Sequence, residues 1–136
     1  MFTIMDYLKF YNNTSLDDVR WNTLDNLIGA ILVYLPIPSF NENKNLKELY
    51  NYVSSSTLVS SNFMATKAIE ILNIIKDSKR YNEIIIFDFN NIKNDKVQFG
   101  ACVIKTKKEK IISFKGTDSS LIGWLENFRL AYEYPT

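Results

Sequence analysis

The chain has 136 residues, 46% of them hydrophobic and 23% charged, with a formal net charge of +1. That composition suits one globular domain over residues 1–136 and gives no overall electrostatic pull toward nucleic acid or an anionic membrane. A single cysteine, Cys102, excludes an internal disulfide. The absence of histidine removes the usual neutral-pH base and the commonest metal ligand.

The N-terminal residues Met1 to Asp6 lack the basic-then-apolar pattern of a secretory leader. The longest apolar run, Leu27 to Pro38, falls short of the ~20 residues a membrane span needs. A cytoplasmic protein with no integral membrane segment is therefore expected.

Asp6–Tyr11 reads as a short helix and Asn12–Asp18 as a polar loop. Asn22–Leu35 reads as a helix capped by Asn22 or Thr23, with Leu24, Leu27, Ile28, Ile31, Leu32 and Leu35 at three- and four-residue steps. Its other side, with Ala30, Val33 and Tyr34, is also apolar, so the helix is expected to be buried on most sides. Pro36 and Pro38 end it. Asn41–Asn45 reads as a loop, Leu46–Val53 as a short helix and Ser54–Ser61 as a serine-rich loop. Asn62–Ser78 is the clearest helix, with Ala65, Ala68, Ile69, Leu72 and Ile75 as its stripe and Asn62 as its cap.

The pattern then changes period. Glu83–Phe89 is β-branched and aromatic, the mark of a strand. Asn90–Lys96 reads as a turn. Val97–Lys105 alternates, with Val97, Phe99, Ala101 and Val103 on one face and Cys102 as a small core residue. Thr106–Lys110 reads as a solvated hairpin tip, followed by a third strand at Ile111–Phe114. Gly116 breaks that strand. Leu121–Tyr132 reads as a helix with Leu121, Leu125, Phe128 and Tyr132 on one stripe. The expected fold class is α/β, or α+β over this stretch. N-terminal helices precede a three-stranded, mostly antiparallel start of a mixed sheet, and a helix follows.

The chemistry-bearing patterns are mostly missing. No glycine starts a G-x-S-x-G elbow, a phosphate-cradling loop or a dinucleotide fingerprint. Asp88, Asn90, Asn91, Asn94 and Asp95 lack calcium-loop spacing, so neither a metal nor a cofactor is expected. Lys105, Lys107, Lys108 and Lys110 form too small a basic face for nucleic acid. One constellation remains, Ile111 to Asp118, a strand running into a tight turn before a helix. From residue types alone it reads first as a plain turn with the N-caps Thr117, Asp118, Ser119 and Ser120. Its outward N–H groups also suit an oxyanion.

Phe114-Lys115-Gly116-Thr117-Asp118 resembles the F-R-G-T-D segment of class 3 lipase-like proteins. With Gly123-Trp124, Glu126 and Phe128 it resembles the G-T-D…G-W-K-E-D-F block of the Mbeg-like bacterial family, a group with the α/β-hydrolase fold. Asp77-Ser78-Lys79-Arg80-Tyr81 is similar to that family's S-K-R-F segment and Gln98-Phe99-Gly100-Ala101 to its Q-F-A-A strand. Asn22–Tyr34, with Asp25 inside, is similar to its first long helix. The resemblance implies that Gly116 shapes an oxyanion turn and that Thr117 supplies an oxyanion-hole N–H. Lys115 and Asn127 stand where the family usually has arginine and aspartate. The family continues past the position of Thr136 into the nucleophilic serine, an acid and a histidine. The resemblance therefore implies a fragment: an incomplete α/β-hydrolase fold, inactive alone, acting on an ester or lipid only if a C-terminal part completes it. The alternatives are a non-catalytic interaction module that self-associates through an exposed sheet edge, and a decayed remnant that aggregates through the uncovered surface of Leu121–Tyr132.

Overall fold

Four amphipathic segments form helices among the described residues, and each start or stop has a local cause. The computed structural model describes residues 4–55, 63–93 and 98–114. Helix α1, Ile4–Tyr11, turns Ile4, Tyr7 and Leu8 inward. Helix α2, Thr23–Leu32, opens on a capping box. Asn22 Oδ1 accepts from the Leu24 N–H at 2.9 Å, and Asp25 Oδ2 accepts from the Asn22 N–H at 3.0 Å.

The expected end of α2 at Leu35 moves back to Leu32. The N–H groups of Tyr34 and Leu35 bond to Ile31 and Leu32, three residues back, so the last turn tightens. Pro36 causes this by disfavouring helical geometry at the residue before it. Val33, Tyr34 and Leu35 are buried all the same, as the apolar second side requires.

Helix α3, Leu46–Ser55, runs two residues past the expected Val53. Asn45 and Glu48 cap it reciprocally, each side chain accepting the other's backbone N–H. Helix α4, Phe63–Ile75, stops short of Ser78. Beyond Ile75 the chain is drawn onto the N-terminal loop, since the Ser78 hydroxyl and the Arg80 N–H both bond to Asn12 O. The expected cap Asn62 lies outside the described residues.

The sheet comprises β1 (Ile85–Lys93), β2 (Gln98–Lys105) and β3 (Lys110–Phe114), antiparallel in that order. The architecture of the described residues is thus α+β, four helices against a three-stranded antiparallel sheet. The turn expected over Asn90–Lys96 is corrected: β1 continues to Lys93. A bulge allows it. Asp88 takes φ 55°, and the register shifts between Phe87 and Asn90 before pairing resumes at Asn90↔Ala101. The expected loop at Asn41–Asn45 is also more ordered than a loop. Phe40 and Lys44 bridge to Phe89 and Ile86, so this segment covers part of the outer edge of β1.

Alternation along the strands divides the sheet. Ile86, Cys102, Ile104 and Ser113 are buried, and α2 lies against this face at Gly29. A Cβ at Gly29 would sit 2.7 Å from Ile104 Cδ1 and 2.8 Å from Ser113 Oγ, so glycine is what permits this close approach. Ile28, Ile31, Leu32, Ile71, Leu72 and Ile75 complete the core between helices and sheet, each contributing about 1.5–3 kcal/mol of burial. No helix among the described residues is long and apolar enough to cross a membrane.

Candidate functional site

The two residues expected to form an oxyanion turn, Gly116 and Thr117, lie outside the described residues, as does the expected helix Leu121–Tyr132. The structure describes the strand that leads to the turn: β3 ends at Phe114, two residues before Gly116. No group of three or more histidine, cysteine or acidic side chains is arranged to hold a metal among the described residues. Asn90 and Asn91 are engaged in backbone contacts near the bulge, with Asp88 O and the Ser39 hydroxyl. Cys102 is 2% exposed, and burial pushes its thiol up to about 12. It is a core residue without thiolate character at neutral pH.

The most polar buried feature joins two distant segments. Arg80 and Asp25 are both fully buried and form an ion pair, with Arg80 Nη2 donating to Asp25 Oδ2 at 2.6 Å and Nε to Oδ1 at 3.3 Å. Burying two charges carries a large desolvation cost, tolerable only when the remaining donors and acceptors are satisfied. Here they are. Arg80 Nη1 donates to Val19 O at 2.6 Å and to Thr14 O at 3.4 Å, and Nη2 also donates to Arg20 O at 3.0 Å. All five guanidinium N–H groups therefore have a partner. Asp25 accepts three further bonds: from Tyr81 Oη at 2.6 Å, Tyr7 Oη at 3.2 Å and the Asn22 N–H at 3.0 Å.

The electrostatics follow from the geometry. Burial, and then the Asp25 charge, push the Tyr7 phenol up to about 12 and the Tyr81 phenol well above its usual range. Burial acts against the Arg80 charge, and the hydrogen bonds and charge of Asp25 outweigh it, so Arg80 is raised. Both phenols therefore keep their protons near neutral pH, and all of Arg80's donors are already engaged. Its role is to fasten the irregular 12–20 segment, by its backbone carbonyls, to the turn after α4. Trp21 meets the Tyr81 ring edge-on at 6.4 Å between centroids and closes one side.

A shallow cleft lies between that segment and the hairpin tip, with Asp17, Arg20, Glu83, Lys107 and Glu109 among its lining residues. It has room for only a water molecule or so. Arg20 pairs with Glu109 at 2.9 Å and Lys107 with Asp17 at 3.8 Å across it. The hairpin tip is thus tethered to the N-terminal loop and not only solvated.

Comparison with protein families covers the stretch that follows α4. Residues 75–136 match the family model described as Mbeg1-like. The Mbeg1-like stretch starts at Ile75, the last residue of α4, and takes in Arg80, Tyr81 and all three strands. It also includes Gly116 and Thr117. Asp25 lies outside it, so the buried ion pair ties the Mbeg1-like stretch to the helices that precede it. Comparisons with curated proteins and with solved structures give no match.

Sequence reasoning noted Asp25 and Arg80 only within family-like segments and missed that they meet. A usable signal was present. Asp25 is an acid at the third position of a mostly apolar helix, and it needs a partner if that helix is buried on most sides.

Proposed function

We propose that this chain is the N-terminal scaffold of a lipase-like serine hydrolase and that it contributes one half of the oxyanion hole. Thr117 donates its backbone N–H to the developing oxyanion, and Gly116 gives the turn its freedom of backbone angle. The observation that carries the reading is the Mbeg1-like match across Gly116, Thr117, Gly123 and Trp124. The position of β3, which ends just before the turn, supports it. The 136 residues hold no histidine, so on this reading the histidine base, and with it the serine and acid of the triad, is supplied by another part of the enzyme. In the completed enzyme the serine Oγ adds to an ester carbonyl and its proton passes to the histidine. The negative charge on the former carbonyl oxygen is met by the Thr117 N–H and by the N–H of the residue after the serine.

The test begins with the intact mass of the protein from its native source, followed by labelling of that species with a fluorophosphonate probe. A species larger than 15.8 kDa that labels on serine supports the reading. In that species Thr117→Pro, which removes the N–H, lowers kcat by roughly 10²–10³-fold, whereas Thr117→Ala leaves it nearly unchanged. A native species that never labels, alone or with its co-purifying partners, sinks the reading.

A second reading is a non-catalytic interaction module. One observation favours it: β3 is the outermost strand of the described sheet on that side, and an open edge invites another strand. Sedimentation at increasing concentration separates the two, since edge pairing predicts dimers or larger species at micromolar protein.

A further inference from the structure

The sheet has a second face that α2 does not touch. Ile104 and Ser113 look toward Gly29 of α2, so the residues next to them in sequence look the opposite way. Phe87, Val103 and Ile112 are register partners across the three strands and form a continuous apolar row on that face. Phe114, paired with Ala101, extends the row by two positions. Ile112 is 61% exposed and Phe114 59%, while Phe87 and Val103 are half-buried. Lys105 and Lys110, paired to each other on the same face, border the row, with Lys105 Nζ 4.0 Å from the Phe87 ring centroid. An apolar surface running across three strands is a docking surface in search of a partner of matching length.

We propose that the occupant is the chain's own segment Leu121–Tyr132, laid as a helix across the Phe87–Val103–Ile112 row. Its Leu121, Leu125, Phe128 and Tyr132 recur at helical spacing, with Trp124 at the margin of the same stripe. Twelve helical residues run about 18 Å, close to the ~17 Å length of a five-residue strand. A helix about 10 Å across covers the ~10 Å width of three strands. The linker, residues 115–120, can reach about 20 Å when extended, enough to bring the segment from the end of β3 onto the face. Two apolar surfaces of matching size, joined by a short link, bury each other at little entropic cost. A second copy of the chain would have to overcome its lost translational freedom to do the same.

The experiment is cysteine cross-linking in the full chain, with Cys102, 2% exposed, left in place. Ile112→Cys is combined in turn with Leu121→Cys, Leu125→Cys and Phe128→Cys, and each pair is oxidised at low protein concentration. At least one pair is expected to give an intramolecular disulfide in at least tenfold higher yield than Ile112→Cys with Glu126→Cys, which sits on the far side of the helix. Disulfides formed only between chains would replace the proposal with a dimer through this face, and equal yields for all pairs would overturn it. A readout on the unaltered chain stands beside it. Amide exchange over 121–132 should be slowed at least 100-fold, and Ile112→Asp should abolish that protection while α2 and α4 keep theirs. Exchange at the unfolded rate over 121–132 in the unaltered chain contradicts the proposal.

Discussion

Arg80 reaches across 55 positions of sequence to hold Asp25 in a fully buried two-point ion pair, Nη2 to Oδ2 at 2.6 Å. It makes the helices before α4 and the sheet after it one folded unit, because the same guanidinium also binds the carbonyls of Val19 and Arg20. Removing either partner leaves the other charge buried and unmatched. Arg80→Met or Asp25→Leu should each destabilise the protein by about 3–5 kcal/mol. Arg80→Lys should recover little, because an ammonium cannot reproduce the fork. The double variant Arg80→Met with Asp25→Leu should cost clearly less than the sum of the two, since it leaves no orphan charge. Urea unfolding of the parent and the four variants checks this, and additive losses would show that the pair is not coupled.

The same cluster sets a limit at alkaline pH. Tyr7 ionises near 10.0 in the unfolded chain and is pushed up to about 12 in the folded one. The folded state therefore holds the phenolic proton more tightly. The stabilisation is complete below pH 10, shrinks as pH rises above it, and is gone once pH passes the folded value. For Tyr7 alone the shift is worth about 2–3 kcal/mol. Tyr81 is raised by the same causes, burial and then Asp25, and the Cys102 thiol is raised from 9.0 to about 12 by burial, so all three act in one direction. The urea midpoint should hold steady from pH 7 to about 9 and fall steeply toward pH 12. A midpoint flat to pH 11.5 would refute the assignment. Tyr7→Phe should reduce the slope above pH 10.

How much of this was legible before the structure depends on the range of the interaction. The capping of α2 by Asn22, the apolar burial of Val33 to Leu35 and the core position of Cys102 are written in local pattern, and the structure agrees with them. The bulge at Asp88 was hidden because asparagine favours turns and strand-edge irregularities alike. The pairing beyond it depends on Gly100 and Ala101, residues of another strand. The bridges of Phe40 and Lys44 to β1, with the Phe40 and Phe89 rings stacked at 5.4 Å, are likewise contacts that sequence spacing does not encode. The Arg80–Asp25 pairing lay beyond reach for the same reason: the expected burial of α2 says that Asp25 needs a partner, but no local spacing says that the partner is Arg80, 55 positions away.

Cys102 should behave as a buried thiol. It is 2% exposed and little ionised at neutral pH, and the thiolate is the reactive form. Labelling by iodoacetamide at pH 7.5 should run at least 100-fold slower than for a free thiol and follow the unfolding curve in urea. Labelling in native buffer at the rate of an exposed cysteine would show that the sheet opens locally at β2.

Gly29 offers a sharp test of how closely α2 sits on the sheet. In an open helix position, glycine to alanine would stabilise by about 1 kcal/mol through helix propensity. Here the new methyl would meet Ile104 Cδ1 at 2.7 Å and Ser113 Oγ at 2.8 Å. The first atom is the end of a flexible side chain, but Ile104 is fully buried and Ser113 nearly so, so neither has free space to enter. Overpacking of this kind costs about 1–3 kcal/mol, and it should outweigh the propensity gain. Gly29→Ala is therefore expected to be net destabilising, by about 1 kcal/mol. The companion variant Gly29→Ala with Ser113→Gly removes the Oγ contact and should restore part of the loss, even though glycine weakens β3. Thermal unfolding of both variants checks the argument. A Gly29→Ala protein more stable than the parent would mean that α2 stands farther from β2 and β3 than these distances show.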